Sequence, residues 1–143
     1  MQKYKIAVYL RLSQEEFSNE KESNSITNQK LIIDNYLENN KEYKLVDYYI
    51  DDGYSGTNFD RSEFQRMLKD IKNKKIDVII IKDLSRLGRN YIETGNFIEV
   101  IFPAMGVSVI SVDDDCEIDS SDYYGDDYLP LKNLFNDMYA KDI

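Results

Sequence analysis

The 143-residue sequence contains no histidine. That absence removes the Ser-His-Asp triad, the Cys-His dyad and any zinc site with imidazole ligands. A nucleophile in this chain has to be activated by carboxylates, lysine, arginine or a metal. Cys116 is the single cysteine. No internal disulfide can form, which suits a reducing, cytoplasmic compartment, and Cys116 is read as inert. No apolar run approaches the roughly 20 residues needed to span a bilayer. Met1–Tyr4 leads straight into a strand-like run rather than a signal peptide. No G-x-G-x-x-G is present, which argues against a dinucleotide-binding domain. Positive charge is scarce as well: 18 basic residues face 27 acidic ones, for a net charge of −9. Phosphate contacts dominate nucleic-acid affinity, so a chain with this balance is not a self-sufficient DNA-binding domain. A local basic site remains compatible with it.

The composition that is present is that of a globular protein, 42% hydrophobic and 31% charged. The length fits one domain over residues 1–143, large enough for a real core. Residues 5–12 (KIAVYLRL) read as a first strand. A polar loop over 14–24 follows, and Ser25 is a candidate cap for a helix over 26–39. Ile26, Ile33 and Leu37 share one face of that helix. Residues 43–50 read as a second strand and 52–61 as a glycine-containing loop. Ser62 is a candidate N-cap for the next helix, in which Phe64, Met67, Leu68 and Ile71 form an apolar stripe. The unbroken apolar run in 77–82 (DVIIIK) predicts a central strand covered on both faces. A turn over 84–90 and a helix over 91–102 follow, with Ile98, Ile101 and Phe102 as core contacts. Residues 107–112 (VSVISV) alternate as a further strand, and the acidic stretch 113–127 reads as exposed. Strands alternating with helices predict an α/β fold, with a central, largely parallel sheet of four to five strands flanked by helices. Leu131, Leu134, Phe135 and Met138 repeat the helical stripe, and the sequence stops at Ile143 without a helix stop signal. The expectation is a fragment of a longer protein, truncated at the start of a long C-terminal helix.

Two segments carry candidate chemistry. Tyr9, Arg11 and Ser13 share parity at the end of the first strand. Ser85-Arg86-Leu87-Gly88-Arg89 follows the most buried strand. In a parallel α/β sheet, ligands bind beyond the carboxyl ends of the strands. If these strands are neighbours, Arg11, Arg86 and Arg89 converge on Ser13. A hydroxyl beside several guanidiniums suits phosphoryl transfer. Each arginine offers a permanently charged planar fork to phosphate oxygens, and preorganised cations stabilise the charge that develops in the transition state. Arginine is a poor general base, so a carboxylate or water has to take the serine proton. From spacing alone, the bland alternative stands beside this one: a turn serine and surface arginines paired with carboxylates.

The same segments carry a family resemblance. Tyr9-x-Arg11-x-Ser13 with Ser85-Arg86-Leu87-Gly88-Arg89 resembles the serine recombinase (resolvase/invertase) catalytic domain. Ser25-Ile26-Thr27-Asn28-Gln29 resembles the family's Ser-x-x-x-Gln segment. Asp52-Gly53-Tyr54-Ser55-Gly56 through Asp60-Arg61 resembles its loop with a catalytic arginine. Lys82 through Asn90 is most like the large serine recombinases of transposons and phages. The resemblance implies a resolvase-like fold and a nucleophile, Ser13, that joins to the 5′ phosphate of cut DNA and frees a 3′ hydroxyl. It implies Arg11, Arg61, Arg86 and Arg89 as the phosphate-binding residues, Gln29 as a residue ordering the site and Tyr9 as a support. It further implies no metal, no ATP and no other cofactor. Its partners are double-stranded attachment-site DNA and the protein itself, dimeric on DNA and tetrameric at synapsis, with DNA-reading domains further along a bacterial or phage-encoded protein. One departure stands out: small resolvases often place Asp where this chain has Ser85, so the residue that accepts the Ser13 proton is left open.

Two rivals remain at the level of sequence. Asp113-Asp114-Asp115 with Asp51-Asp52 could hold Mg²⁺ in a metal-dependent nuclease. A receiver-like signalling domain is also α/β and acidic, but it needs an acidic pair after the first strand, where this chain has Arg-Leu-Ser.

Overall fold

The computed structural model describes residues 4–12, 25–51, 54–55, 58–59, 61–87 and 91–118. Strand β1 (Tyr4–Arg11) leads to helix α1 (Ile26–Glu38) and strand β2 (Tyr43–Asp51). Two short strands, β3 (Tyr54–Ser55) and β4 (Asn58–Phe59), pair as an antiparallel ribbon inside the segment expected to be a loop. Helix α2 (Ser62–Lys72) precedes β5 (Val78–Ile81), and a 3₁₀ turn (Leu84–Arg86) follows β5 after Lys82 and Asp83. Helix α3 (Tyr91–Asn96) passes through a π-helical turn (Phe97–Ile101) into α4 (Phe102–Ala104). Strands β6 (Ser108–Ser111) and β7 (Cys116–Ile118) complete the described elements.

The main sheet has the order β2-β1-β5-β6-β7, parallel except for β7. The predicted α/β class and largely parallel five-stranded sheet are therefore what the chain forms. β5 is the central strand, and all four of its residues are buried, as an apolar run covered on both faces demands. The chain leaves β1 for β2 on one side and later returns to β5 on the other. The switch point of the topology thus lies between β1 and β5, where open α/β sheets form a crevice at the strand ends.

One face packs Phe64, Met67 and Ile71 of α2 and Ile98 and Phe102 of the α3–α4 helix against Ala7, Tyr9, Ile79 and Ile81. The other packs Ile33 of α1, with Ile26 and Leu37 partly buried, against Ile6, Val8, Leu10 and Ile80. Both stripes seen in the sequence therefore face the sheet. Ile101 is only partly buried against the first cluster. Thr94, Ile98 and Phe102 are all buried at strict intervals of four residues. A regular α-helix would rotate such a series by about 40° per step. The wider π turn offsets that rotation, and Ile98 and Phe102 both pack in the first cluster.

Two expectations need correction. Ser62 is not the N-cap of α2; Arg61 holds that position, with no side-chain cap bond. The cap comes from Asp51, at the end of β2, whose carboxylate accepts from Glu63 N and Phe64 N at 3.0 Å each. The acidic stretch is not uniformly exposed loop either. Asp113–Asp115 form the turn of a β6–β7 hairpin, with Ser111 opposite Cys116 and Ile118 buried. Asp115 adopts φ +48°, a left-handed conformation that Asp tolerates in tight turns. The expected C-terminal helix lies outside the described residues.

Candidate active site

Arg11 ends β1, and the 3₁₀ turn carrying Arg86 begins three residues beyond β5. Because β1 and β5 are paired neighbours, the two arginines meet at the switch point. They interlock. Arg11 Nε donates to Arg86 O at 2.9 Å, and Arg11 Nη2 donates to Ser85 O. In return, Arg86 Nη1 donates to Arg11 O at 2.8 Å. Both residues are buried, at 4% and 3% exposure. Burying a charged group is costly unless its donors are satisfied. Here main-chain carbonyls of each segment accept from the guanidinium of the other, although not from the buried Nε of Arg86.

Gln29, fully buried on α1, braces the same strand end. Its Oε1 accepts from Arg11 N at 3.3 Å and its Nε2 donates to Arg11 O at 3.0 Å. The side-chain amide thus acts on Arg11 as a further strand would, holding the peptide two residues before Ser13.

Arg61 enters from the start of α2. Its Nη1 pairs with Glu93 of α3 at 2.8 Å, and its Nη2 donates to Leu87 O at 2.7 Å. Its Nε lies 3.4 Å from the Tyr9 hydroxyl. The guanidinium sits 3.9 Å from the centre of the Phe64 ring, a cation–π arrangement. Phe64 is in turn wedged edge-on between Tyr9 and Phe97, at 5.1 and 4.9 Å. The Tyr9 hydroxyl donates to Asp51 at 2.7 Å. Burial pushes the Tyr9 pKa well up; the Asp51 carboxylate adds to this and Arg61 opposes it. Tyr9 is therefore a neutral phenol at physiological pH, tying β1, β2 and α2 together beneath Arg61.

The structure brings together Tyr9, Arg11, Gln29, Arg61 and Arg86, on four separate segments. Ser13 and Arg89 lie outside the described residues. Three partners of these residues were not given these roles in the sequence: Asp51, considered there only as a metal ligand, Asp83 and Glu93. Only the fold shows which cation or hydroxyl each of these carboxylates meets. Asp83 is the N-terminal cap of the arginine turn.

Three of the acidic residues considered as metal ligands are engaged otherwise. Asp51 caps α2. Asp113 pairs with Lys82 at 2.9 Å. Asp114 accepts from Leu84 N at 3.1 Å and from Ser111 Oγ at 2.6 Å. Asp52 lies outside the described residues. Among the described residues, no group of three or more acidic or cysteine side chains is placed to hold a metal ion, and no helix is long and apolar enough to cross a membrane.

A largely parallel sheet with interlocked arginines at its switch point, and a third at the start of α2, suits a site for an anionic phosphate group. The resolvase N-terminal domain family matches residues 6–143, and the chain belongs to it. Solved structures agree. The N-terminal catalytic domain of TP901-1 integrase is 27% identical, with a TM-score of 0.69 over 94% of this chain and 95% of that one. A resolvase family site-specific recombinase from Streptococcus pneumoniae is 29% identical, with a TM-score of 0.71 over 92% and 83%. The C-terminal catalytic domain of ISC1926 TnpA, an IS607-like serine recombinase, is 28% identical, with a TM-score of 0.56 over 76% and 69%. No curated protein sequence matches the chain. Family membership identifies the chain as a recombinase catalytic domain, and implies site-specific DNA recombination with oligomerisation on DNA.

Proposed function

We propose that Ser13 is the nucleophile of this recombinase and that Arg11, Arg61, Arg86 and Arg89 hold and activate the scissile phosphate. The Ser13 oxygen forms a bond to phosphorus as the bond from phosphorus to the 3′ oxygen breaks. The products are a 5′-phosphoserine joined to the protein and a free 3′ hydroxyl. The Ser13 proton passes to a carboxylate or water, and the departing 3′ oxygen takes up a proton. After strand exchange the reverse attack by a 3′ hydroxyl restores the phosphodiester. The covalent ester retains the energy of the broken bond, so the reaction needs neither metal nor ATP. Its biological setting in this reading is integration or excision of a mobile element.

The observation that carries the proposal is the mutual clasp of Arg11 and Arg86 at the switch point. It fixes the peptide two residues before Ser13 beside two guanidiniums. Gln29 and Tyr9 are positioning residues in this scheme, Gln29 on the Arg11 peptide and Tyr9 beneath Arg61. Sequence readout belongs to further domains of the protein, in keeping with the net charge of −9 and the dominance of phosphate contacts in DNA affinity. The test is Ser13→Ala in the full-length protein. Cleavage of attachment-site DNA should vanish while site binding persists. Strand cleavage by that variant would refute Ser13 as nucleophile, and wild-type cleavage that stops in EDTA would favour the metal-dependent rival.

A further inference from the structure

We infer that Asp83 is the charged positioning residue of the arginine turn, holding Arg86, and through the turn Arg11, in phosphate-binding geometry. This inference rests on the arginine roles proposed above and adds a residue to them. The geometry has three parts. First, Asp83 Oδ1 accepts from Ser85 N at 3.1 Å and from the Ser85 hydroxyl. These bonds close the 3₁₀ turn and fix the peptide of Ser85. Second, Asp83 Oδ2 lies 3.5 Å from Arg86 Nη2 and 3.4 Å from Lys82 Nζ. Third, the carbonyls that the turn presents, Ser85 O and Arg86 O, are those that take the Arg11 guanidinium. One carboxylate therefore sets the turn with one oxygen and faces the Arg86 guanidinium with the other.

A simple cap would use only the first of these contacts. An amide or hydroxyl serves a cap nearly as well as a carboxylate. The second oxygen distinguishes the two roles. The Asp83 side chain is only 18% exposed, and a buried carboxylate is tolerated where cations and donors compensate it. Burial pushes its pKa up, but Arg86, the Ser85 hydrogen bond and Lys82 together outweigh this and hold it below the ordinary carboxylate value. The group is thus a fixed negative charge at neutral pH. Lys82 is divided between Asp83 and Asp113, at 3.4 and 2.9 Å, which leaves Asp83 to orient Arg86. Ser85, the residue before Arg86, donates its hydroxyl to the same carboxylate. A serine at that position is therefore not a lost charge, because the charge is supplied from two residues earlier.

The inference is tested by Asp83→Asn in the full-length recombinase, which keeps an acceptor for Ser85 N–H and removes the charge. The readouts are strand cleavage on a nicked attachment-site substrate, site binding by gel shift, and thermal unfolding. Cleavage should fall at least about tenfold, the size of one charge-assisted contact. Site affinity and unfolding temperature should stay close to wild type. Adding Ser85→Asp to Asp83→Asn returns a carboxylate beside Arg86 and should restore most of the lost cleavage. Cleavage by Asp83→Asn within twofold of wild type would overturn the inference. So would an absence of rescue, or early melting with lost site binding, since each of those marks Asp83 as a cap alone. Wild-type cleavage without a Ser13 adduct would instead sink the proposed function, whatever Asp83 does.

Discussion

Arg61 and Arg66 sit five residues apart at the start of α2, and their surroundings differ in kind. Both guanidiniums lie over an aromatic ring, Phe64 at 3.9 Å and Tyr49 at 4.1 Å. Both have a carboxylate oxygen at 2.8 Å. Arg66 meets Glu63, Asp47 and Asp70, and its side chain is 39% exposed. Arg61 meets Glu93 as its carboxylate, main-chain carbonyls and a neutral phenol, and is 11% exposed. Arg66 is thus neutralised several times over in water, the usual condition of a surface cation. Arg61 is matched by one carboxylate, in a place where the dielectric is low. Such a cation has far more to offer an incoming phosphate. The number of arginines in a chain therefore says little about a phosphate site. The nature of their partners says much more.

Substitutions can sharpen or break this contrast. The largest effect belongs to the switch point. Arg86→Lys replaces a planar fork with a point charge, and by analogy with loss of one preorganised donor it should cost about 3–4 kcal/mol of transition-state stabilisation. Cleavage kinetics should show a loss of a few hundredfold; near-wild-type turnover would count against the clasp. Arg61→Gln comes next, with cleavage expected to fall by about two orders of magnitude and site binding nearly unchanged. If Arg61→Gln and Arg66→Gln lowered cleavage equally, the contrast between the two arginines would be wrong. Asp51→Ala removes the remote cap of α2 and leaves the Tyr9 hydroxyl without its acceptor. Denaturant unfolding should report a loss of about 2–3 kcal/mol, and an unchanged midpoint would show that another group caps the helix. The smallest effect is assigned to Arg66→Gln. Exposed ion pairs contribute under about 1 kcal/mol, so both stability and cleavage should stay close to wild type, and a tenfold loss of cleavage would move Arg66 into the site.

Much of this arrangement was legible beforehand. The strands at 4–11 and 78–81 announce themselves by apolar runs, and the stripe of Phe64, Met67 and Ile71 by its spacing. The order of elements permits β1 and β5 to be neighbours, and the sheet makes them so, bringing Arg11 and Arg86 together. What was not legible is long-range and polar. Asp51 caps a helix that begins 11 residues later, so the hydroxyl of Ser62 looked like the local cap. The β6–β7 hairpin was hidden because its turn is three consecutive aspartates and β7 has only three residues, too short to show alternation. The π turn leaves no mark on composition; it shows only as the four-residue interval of Thr94, Ile98 and Phe102. Asp83 and Glu93 gain meaning only from the guanidiniums that the fold brings to them.

The most direct test of the central claim is to trap the reaction partway. Full-length protein is incubated with a nicked attachment-site substrate in EDTA, and the covalent product is digested and mapped by mass spectrometry. The account predicts a 5′-phosphoryl adduct on Ser13. Free DNA ends with no adduct, or an adduct on any other residue, would contradict it.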